Sequence, residues 1–181
     1  MTARNLVIGY GNPLRGDDGL GWHAAAAVAT DPRLADTDVF TRHQLTPELA
    51  EDIATARVAV LIDACLGDTP GWVSIREVAP APGASWSHHL RPEDVVGLAH
   101  ALFGAVPPVF LVTVTGVHFG YGSRLSRPVS ECMPRVLMIV GATLRPPLSG
   151  EAPDRRVSRS AAGHPVDVTS WRPVWTARRT P

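Results

Sequence analysis

The chain has 181 residues, of which 45% are hydrophobic, and its 17 basic and 17 acidic residues give a formal net charge of zero. This length allows one domain with a hydrophobic core, and the neutral charge, without a basic stripe, argues against a nucleic-acid partner. No apolar run is long enough to span a bilayer, and the sequence lacks the layout of a signal peptide, so we expect a cytoplasmic protein without membrane association. The two cysteines, Cys65 and Cys132, have no CxxC spacing and predict neither a disulfide framework nor a zinc finger.

Strand-like runs rich in branched residues alternate with helical stretches, which is typical of a helix-flanked, largely parallel sheet. In chain order, the pattern predicts a strand near 5–10, a helix near 19–30, a strand near 37–42, a helix near 46–55, strands near 57–62 and 72–78, a helix near 92–103, a strand near 109–116 and a helix near 127–142. Thr46 is the predicted cap of the second helix, with Pro47 in its first turn. Only residues 64–71 separate the third and fourth strands, too few for a crossover helix, so one strand, which we take to be the fourth, runs antiparallel.

The composition of the sequence changes at Arg145. Residues 1–144 are predicted to form the α/β domain, and residues 145–181 a mobile tail rich in Pro and Arg, because this segment has little apolar periodicity. Trp171 and Trp175 are the residues best suited to anchor such a tail to the domain or to a partner.

A glycine-rich turn, GYGNPLRGDDGLG from Gly9 to Gly21, joins the first predicted strand to the first helix. Such turns usually bind phosphate, because backbone N–H groups and the positive end of the helix dipole point at the ligand. Here the carboxylates of Asp17 and Asp18 would repel phosphate, so the turn suits a cation better. Asp17 is predicted to cap the helix, whereas Asp18 is either a first-turn acid or a metal ligand.

Three candidate metal ligands fall near the carboxyl ends of predicted strands, where open α/β sheets bind their ligands. Asp18 follows the first strand, Asp63 ends the third, and His88, in the pair His88-His89, precedes the third helix. Two carboxylates and one imidazole leave open positions on a divalent ion, which suits catalysis or substrate docking. A histidine pair in a loop is also commonly just solvated. Cys65, close to Asp63, is either a small buried hydrophobe or a participant in the chemistry.

Together these residues resemble the NiFe-hydrogenase maturation endopeptidases, a family that trims the C-terminus of the hydrogenase large subunit. The resemblance covers roughly the first 140 residues, and the following matches carry it: Gly-x-Gly-Asn-x-Leu-x-x-Asp-Asp-Gly-x-Gly from Gly9 to Gly21, Asp63-Ala64, His88-His89-Leu90, and Gly116 followed by Leu125-Ser126. It implies a three-layer α/β/α sandwich on a five-stranded, mostly parallel mixed sheet. It also implies that Asp18, Asp63 and His88 are both the metal ligands and the catalytic residues.

The activity implied by the resemblance is removal of a short C-terminal peptide from a large-subunit precursor that already carries nickel. The nickel is then brought by the substrate, and another divalent metal such as zinc is an alternative. Family members commonly have Asp-Gly-Gly-Thr after the second strand, where this chain has His43, Gln44 and Leu45. These three residues are the expected substrate-binding segment, and the variant is similar to the branch serving bidirectional, NAD-linked or related hydrogenases.

Two mechanisms and two other functions stay open at this point. The metal either polarises the scissile carbonyl and activates water, or it only positions the peptide while another group activates water. A nickel-sensing or chaperone protein could hold the precursor with the same ligands and leave it uncut. A Rossmann-like nucleotide-binding enzyme is the weaker alternative, because the glycine after Gly9 and Gly11 is Gly16, and Asp17 and Asp18 would face a pyrophosphate.

Overall fold

The computed structural model describes residues 3–81 and 90–145. The predictions made for His88, His89 and the tail from residue 146 onward therefore lie outside the described residues. The elements, in chain order, are β1 (Asn5–Tyr10), α1 (Leu20–Ala29), β2 (Thr37–Arg42), α2 (Leu49–Thr55), β3 (Ala59–Cys65), β4 (Val73–Glu77), α3 (Pro92–Phe103), β5 (Val109–Thr115) and α4 (Arg127–Leu144). Short 3-10 turns at Gly16–Gly19 and Pro32–Leu34 precede α1 and β2. Among the helices described, none combines the length and apolar character needed to cross a membrane.

The strands form one mixed sheet in the order β2-β1-β3-β5-β4. The pairs β1–β2, β1–β3 and β3–β5 are parallel, whereas β4 runs antiparallel to β5. The link from β3 to β4 contains no helix, and the chain can return through so short a link only by reversing direction. The antiparallel fourth strand predicted from the sequence is therefore confirmed.

Helices cover both faces of the sheet, so the predicted three-layer α/β/α sandwich is confirmed. Strand side chains alternate between the faces: Val7 packs with residues of α1 and α4, while Leu6 and Ile8 pack with residues of α2 and α3. The two clusters of buried apolar side chains hold the layers together, because removing this area from water is the main favourable contribution to folding.

Two element boundaries differ from the predictions. The second helix begins at Leu49, and Thr46 does not cap it with its side chain; instead, the carbonyls of Thr46 and Pro47 accept hydrogen bonds from Leu49 N (3.2 Å) and Ala50 N (3.0 Å) in a turn before the helix. Strand β3 continues to Cys65 because its pairing with β5 extends that far. Asp63 therefore lies inside the strand and not at its end.

Candidate functional site

The candidate site lies at the point where the strand order reverses. Strands β1 and β3 are neighbours in the middle of the sheet, but β1 is followed in the chain by β2 on one side and β3 is followed by β4 at the other edge. Ligands of open α/β sheets bind in the crevice that forms at such a point, beyond the carboxyl ends of the strands. Asp18 follows β1 and Asp63 is in the last part of β3, so both carboxylates border this crevice.

Glycines in the first turn bring Asp18 to the sheet. A Cβ atom on Gly9 would lie 1.9 Å from the carbonyl oxygen of Gly21, so α1 can pack this closely on β1 only where side chains are missing. Gly11 has φ +123°, a conformation that side chains disfavour, and a Cβ atom there would lie 2.1 Å from the carbonyl oxygen of Asp18. The resulting tight turn lets Oδ2 of Asp18 accept a hydrogen bond of 2.9 Å from the backbone N–H of Asn12.

The Asp63 carboxylate is half-buried, and one of its oxygens has a fixed donor. Oδ1 accepts a hydrogen bond of 2.8 Å from the backbone N–H of Ala64, and the phenol of Tyr10 lies close enough to interact with the carboxylate. Burial raises the pKa of Asp63 to about 6; the interactions with Tyr10 and Ala64 oppose this rise, and the negative charge of Asp18 adds to it. The charge of Asp18 is therefore close enough to affect the ionisation of Asp63.

The carboxylates of Asp18 and Asp63 are suitable ligands for a divalent metal, but they are only two of the three predicted ligands. Two neighbouring carboxylates repel one another until a cation binds between them, and carboxylate oxygen is an accepted ligand of zinc and related ions. Within residues 3–81 and 90–145 no group of three or more His, Cys, Asp or Glu side chains could hold a metal ion. His88, the predicted third ligand, lies outside those residues, so the complete ligand set stays a prediction.

Asp17 does not cap α1, and that prediction is wrong. Its fully buried carboxylate reaches the segment after β5, where Oδ2 accepts hydrogen bonds from the backbone N–H groups of Val117 (2.7 Å) and His118 (2.9 Å). Ser126 precedes α4; its backbone N–H donates to Oδ1 of Asp17 at 2.6 Å, and its hydroxyl donates to Oδ2 at 2.8 Å. Burial raises the pKa of Asp17, but these four hydrogen bonds outweigh it and bring the pKa below its usual value. Asp17 thus ties the loop after β5 to the glycine-rich turn.

The predicted substrate-binding segment follows β2 at the same edge of the sheet. His43 and Gln44 are exposed, and the ring of His43 packs on Trp22 with 5.2 Å between centroids. The indole N–H of Trp22 lies within hydrogen-bonding distance of the carbonyls of Gly11 (2.9 Å) and Arg42 (3.1 Å), which joins this segment to the glycine-rich turn. Leu45 is only 3% exposed and packs in the core under α2, so His43 and Gln44 are the two members of the segment that a partner can reach.

Large apolar side chains stand exposed on three loops at this edge, a group that we call the apolar rim. Its members follow β1, β3 and β5 and are exposed to the following extents: Leu14 52%, Leu66 84%, Val117 55% and Tyr121 91%. Backbone hydrogen bonds join these loops, from Gly122 N to the Leu14 carbonyl and from Gly116 N to the Cys65 carbonyl, each at 2.9 Å. Exposed apolar side chains gathered beside a crevice are typical of a surface that binds a polypeptide.

Sequence reasoning missed Tyr10 and the true partners of Asp17. The signal for Tyr10 was the strand register: Gly9 pairs with Ile62, so Tyr10 and Asp63 are the next residues along two parallel strands. Cys65 is half-buried with its Sγ 3.8 Å from Oγ1 of Thr115.

Comparisons with known proteins identify solved structures that share this fold. No family model matches the chain, and no curated protein matches its sequence significantly. Among solved structures, the NiFe hydrogenase maturation protease HycI from Thermococcus kodakarensis is 20% identical with a TM-score of 0.59, over 77% of this chain and 90% of that one. HybD from Thermococcus kodakarensis is 21% identical with a TM-score of 0.58, over 78% and 99% of the two chains. HybD from E. coli is 22% identical with a TM-score of 0.54, over 76% and 89%.

The chain has the fold of the hydrogenase maturation proteases. The resemblance seen in the sequence is therefore confirmed at the level of the fold. At such identities, the structural likeness carries the architecture, and the activity has to be argued from the site itself.

Proposed function

We propose that the protein is an endopeptidase that removes a short C-terminal peptide from a nickel-loaded NiFe-hydrogenase large-subunit precursor. The observation that carries the proposal is the pair of carboxylates, Asp18 and Asp63, at the switch point of a sheet with the maturation-protease fold. The nickel belongs to the substrate, and zinc or another divalent ion is the alternative metal. A cytoplasmic location stays a prediction from the sequence.

Asp18, Asp63 and His88 would bind the metal, and the hydrogen bonds of the two carboxylates support this proposal. The N–H of Asn12 donates to one oxygen of Asp18 and the N–H of Ala64 to one oxygen of Asp63, so each carboxylate would be oriented before a metal arrives. Bound nickel supplies a Lewis acid that either polarises the scissile carbonyl or docks the peptide.

The sequence lacks two common catalytic motifs of hydrolases, which is consistent with a route assisted by the metal of the substrate. The sequence contains neither a Gly-x-Ser-x-Gly elbow nor a His-Glu-x-x-His helix. In the proposed complex, the exposed residues His43 and Gln44 contact the precursor at one side of the crevice, and the apolar rim contacts it at the other.

Two other functions, nucleotide binding and a nickel chaperone, were left open by the sequence. One hydrogen bond argues against the first, and an experiment can distinguish the second. A nucleotide-binding turn aims its backbone N–H groups at phosphate, but here the N–H of Asn12 already donates to the Asp18 carboxylate. A nickel chaperone would use the same carboxylates and stays the second candidate. It would bind the precursor and leave its length unchanged.

The test uses the full chain and a purified large-subunit precursor loaded with nickel. Intact-mass spectrometry should show loss of a short C-terminal peptide with the wild type and with the control variant Asp68→Asn, an exposed acid on the loop after β3. Asp63→Asn should leave the precursor uncut, because the site loses a negative charge needed for the metal. A precursor that binds the wild type and keeps its mass would favour the chaperone.

A further inference from the structure

We propose that Tyr10 is a positioning residue for Asp63, whose carboxylate it holds by a hydrogen bond in the orientation that receives a divalent metal. The inference rests on the proposed function, because it assumes that Asp63 is a metal ligand. It adds a residue that no motif of the sequence pointed to.

The register of β1 and β3 places the two side chains side by side. Ile8 pairs with Leu61 and Gly9 with Ile62 in a parallel ladder, so the next step along both strands brings Tyr10 beside Asp63. Side chains two residues apart on a strand share a face, and Ile8 and Leu61 both lie in the cluster under α2 and α3. Tyr10 and Asp63 therefore point to that same face.

Packing fixes the ring of Tyr10, and hydrogen bonding fixes the carboxylate of Asp63. Tyr10 is partly buried against the α2 and α3 cluster, so its aromatic body is anchored in the core while its hydroxyl reaches the site. The hydroxyl of Tyr10 lies beside the Asp63 carboxylate, where the proposed hydrogen bond would form, and the backbone N–H of Ala64 donates to Oδ1 at 2.8 Å. With both donors in place the carboxylate would have less freedom to rotate and would keep lone pairs free for a metal.

Such an arrangement has a known consequence for metal affinity. Metal-ligating carboxylates are themselves hydrogen-bonded, and loss of the partner costs about 10–100-fold in metal affinity. Phe at position 10 would keep the aromatic packing and lose only the hydroxyl, so Tyr10→Phe isolates the hydrogen bond. Thr30→Val provides the control, because it removes an exposed hydroxyl at the C-terminal end of α1 whose hydrogen bonds go to the carbonyls of Ala26 and Ala27.

The experiment titrates the full chain with Ni²⁺ alone, by calorimetry, for the wild type, Tyr10→Phe, Thr30→Val, Asp63→Asn and the double variant Tyr10→Phe/Asp63→Asn. We expect Tyr10→Phe to raise the Kd by about 10–100-fold and Thr30→Val to leave it unchanged. In the Asp63→Asn background, Tyr10→Phe should have no further effect, because it acts through Asp63. Circular dichroism and melting of each variant check that it is folded.

Two results would overturn the positioning role while leaving the metal site intact. One is a Kd for Tyr10→Phe equal to that of the wild type, with Asp63→Asn clearly weaker. The other is an equal loss from Tyr10→Phe with and without Asp63, which would indicate a general structural effect. Equal Ni²⁺ binding by wild type and Asp63→Asn would instead remove Asp63 from the metal site, and with it the role of Tyr10. No Ni²⁺ binding by the folded wild type would also overturn the role of Tyr10 and would leave the proposed cleavage, in which the substrate brings the nickel, to the precursor assay.

Discussion

The Asp17 carboxylate accepts four hydrogen bonds, of 2.6 to 2.9 Å, from the segment after β5, so a change of this side chain should destabilise the fold. In Asp17→Asn the amide oxygen can still accept from Val117 and His118, but the new NH₂ group faces the N–H of Ser126, donor against donor. One hydrogen bond to a charged group contributes about 1.5–3 kcal/mol, so we expect the free energy of unfolding to fall by about 2 kcal/mol. Asp17→Ala, which removes both acceptor oxygens and with them all four hydrogen bonds, should cost about 4 kcal/mol.

Thermal unfolding followed by circular dichroism measures this effect. For a chain of this size, about 2 kcal/mol corresponds to a fall in Tm of roughly 4–8 °C, and the control Asp68→Asn, at an exposed position, should change Tm by less than about 1 °C. The folded-state pKa of Asp17 is lowered, so its contribution is present above the unfolded-state pKa and is lost as the pH falls through the folded-state value. The difference between wild type and Asp17→Asn should therefore shrink in acid. An Asp17→Asn variant as stable as the wild type at neutral pH would refute the reasoning.

Three further predictions concern the crevice. The pKa of Asp63 is raised to about 6, so its ionisation destabilises the folded, metal-free protein as the pH rises through roughly 4–6; in EDTA, Asp63→Asn should melt above the wild type at about pH 8 and lose that advantage near pH 4. Leu66→Ser combined with Tyr121→Ser should raise KM for the precursor several-fold with kcat unchanged, whereas Leu102→Ser, an exposed change on α3, should alter neither. His43→Ala should change the relative rates on two different precursors, measured in competition, while leaving Tm within about 2 °C.

The architecture was predictable because the apolar runs and the lengths of the links between them indicate the same order and direction of strands. Runs of branched apolar residues marked the strands, and the short link before Val73 required a reversal of direction, which the antiparallel β4 confirms. The start of α2 was not predictable from Thr46 and Pro47, although both are good helix-start residues. A turn closed by their carbonyls satisfies the same donors and delays the helix to Leu49.

Only those residues of the candidate site that lie near the ends of predicted strands could be identified from the sequence. Asp18 and Asp63 could be singled out because each lies near the carboxyl end of a predicted strand, although β3 continues two residues beyond Asp63. The partners of Asp17 lie about a hundred residues further along the chain, at Val117 to Ser126, where no local pattern points back to them. Tyr10 becomes visible only when the pairing of β1 with β3 is known, because register is a property of the folded sheet.

The most direct test of the central claim is the mass of a nickel-loaded large-subunit precursor before and after incubation with the full chain. The account predicts a product shortened at its C-terminus with the wild type, and an unchanged mass with Asp18→Asn and with Asp63→Asn, both checked for folding by circular dichroism. Cleavage by both variants at the wild-type rate would contradict the assignment of the carboxylate pair. A precursor left uncut by the folded wild type, with nickel confirmed on it, would contradict the proposed activity.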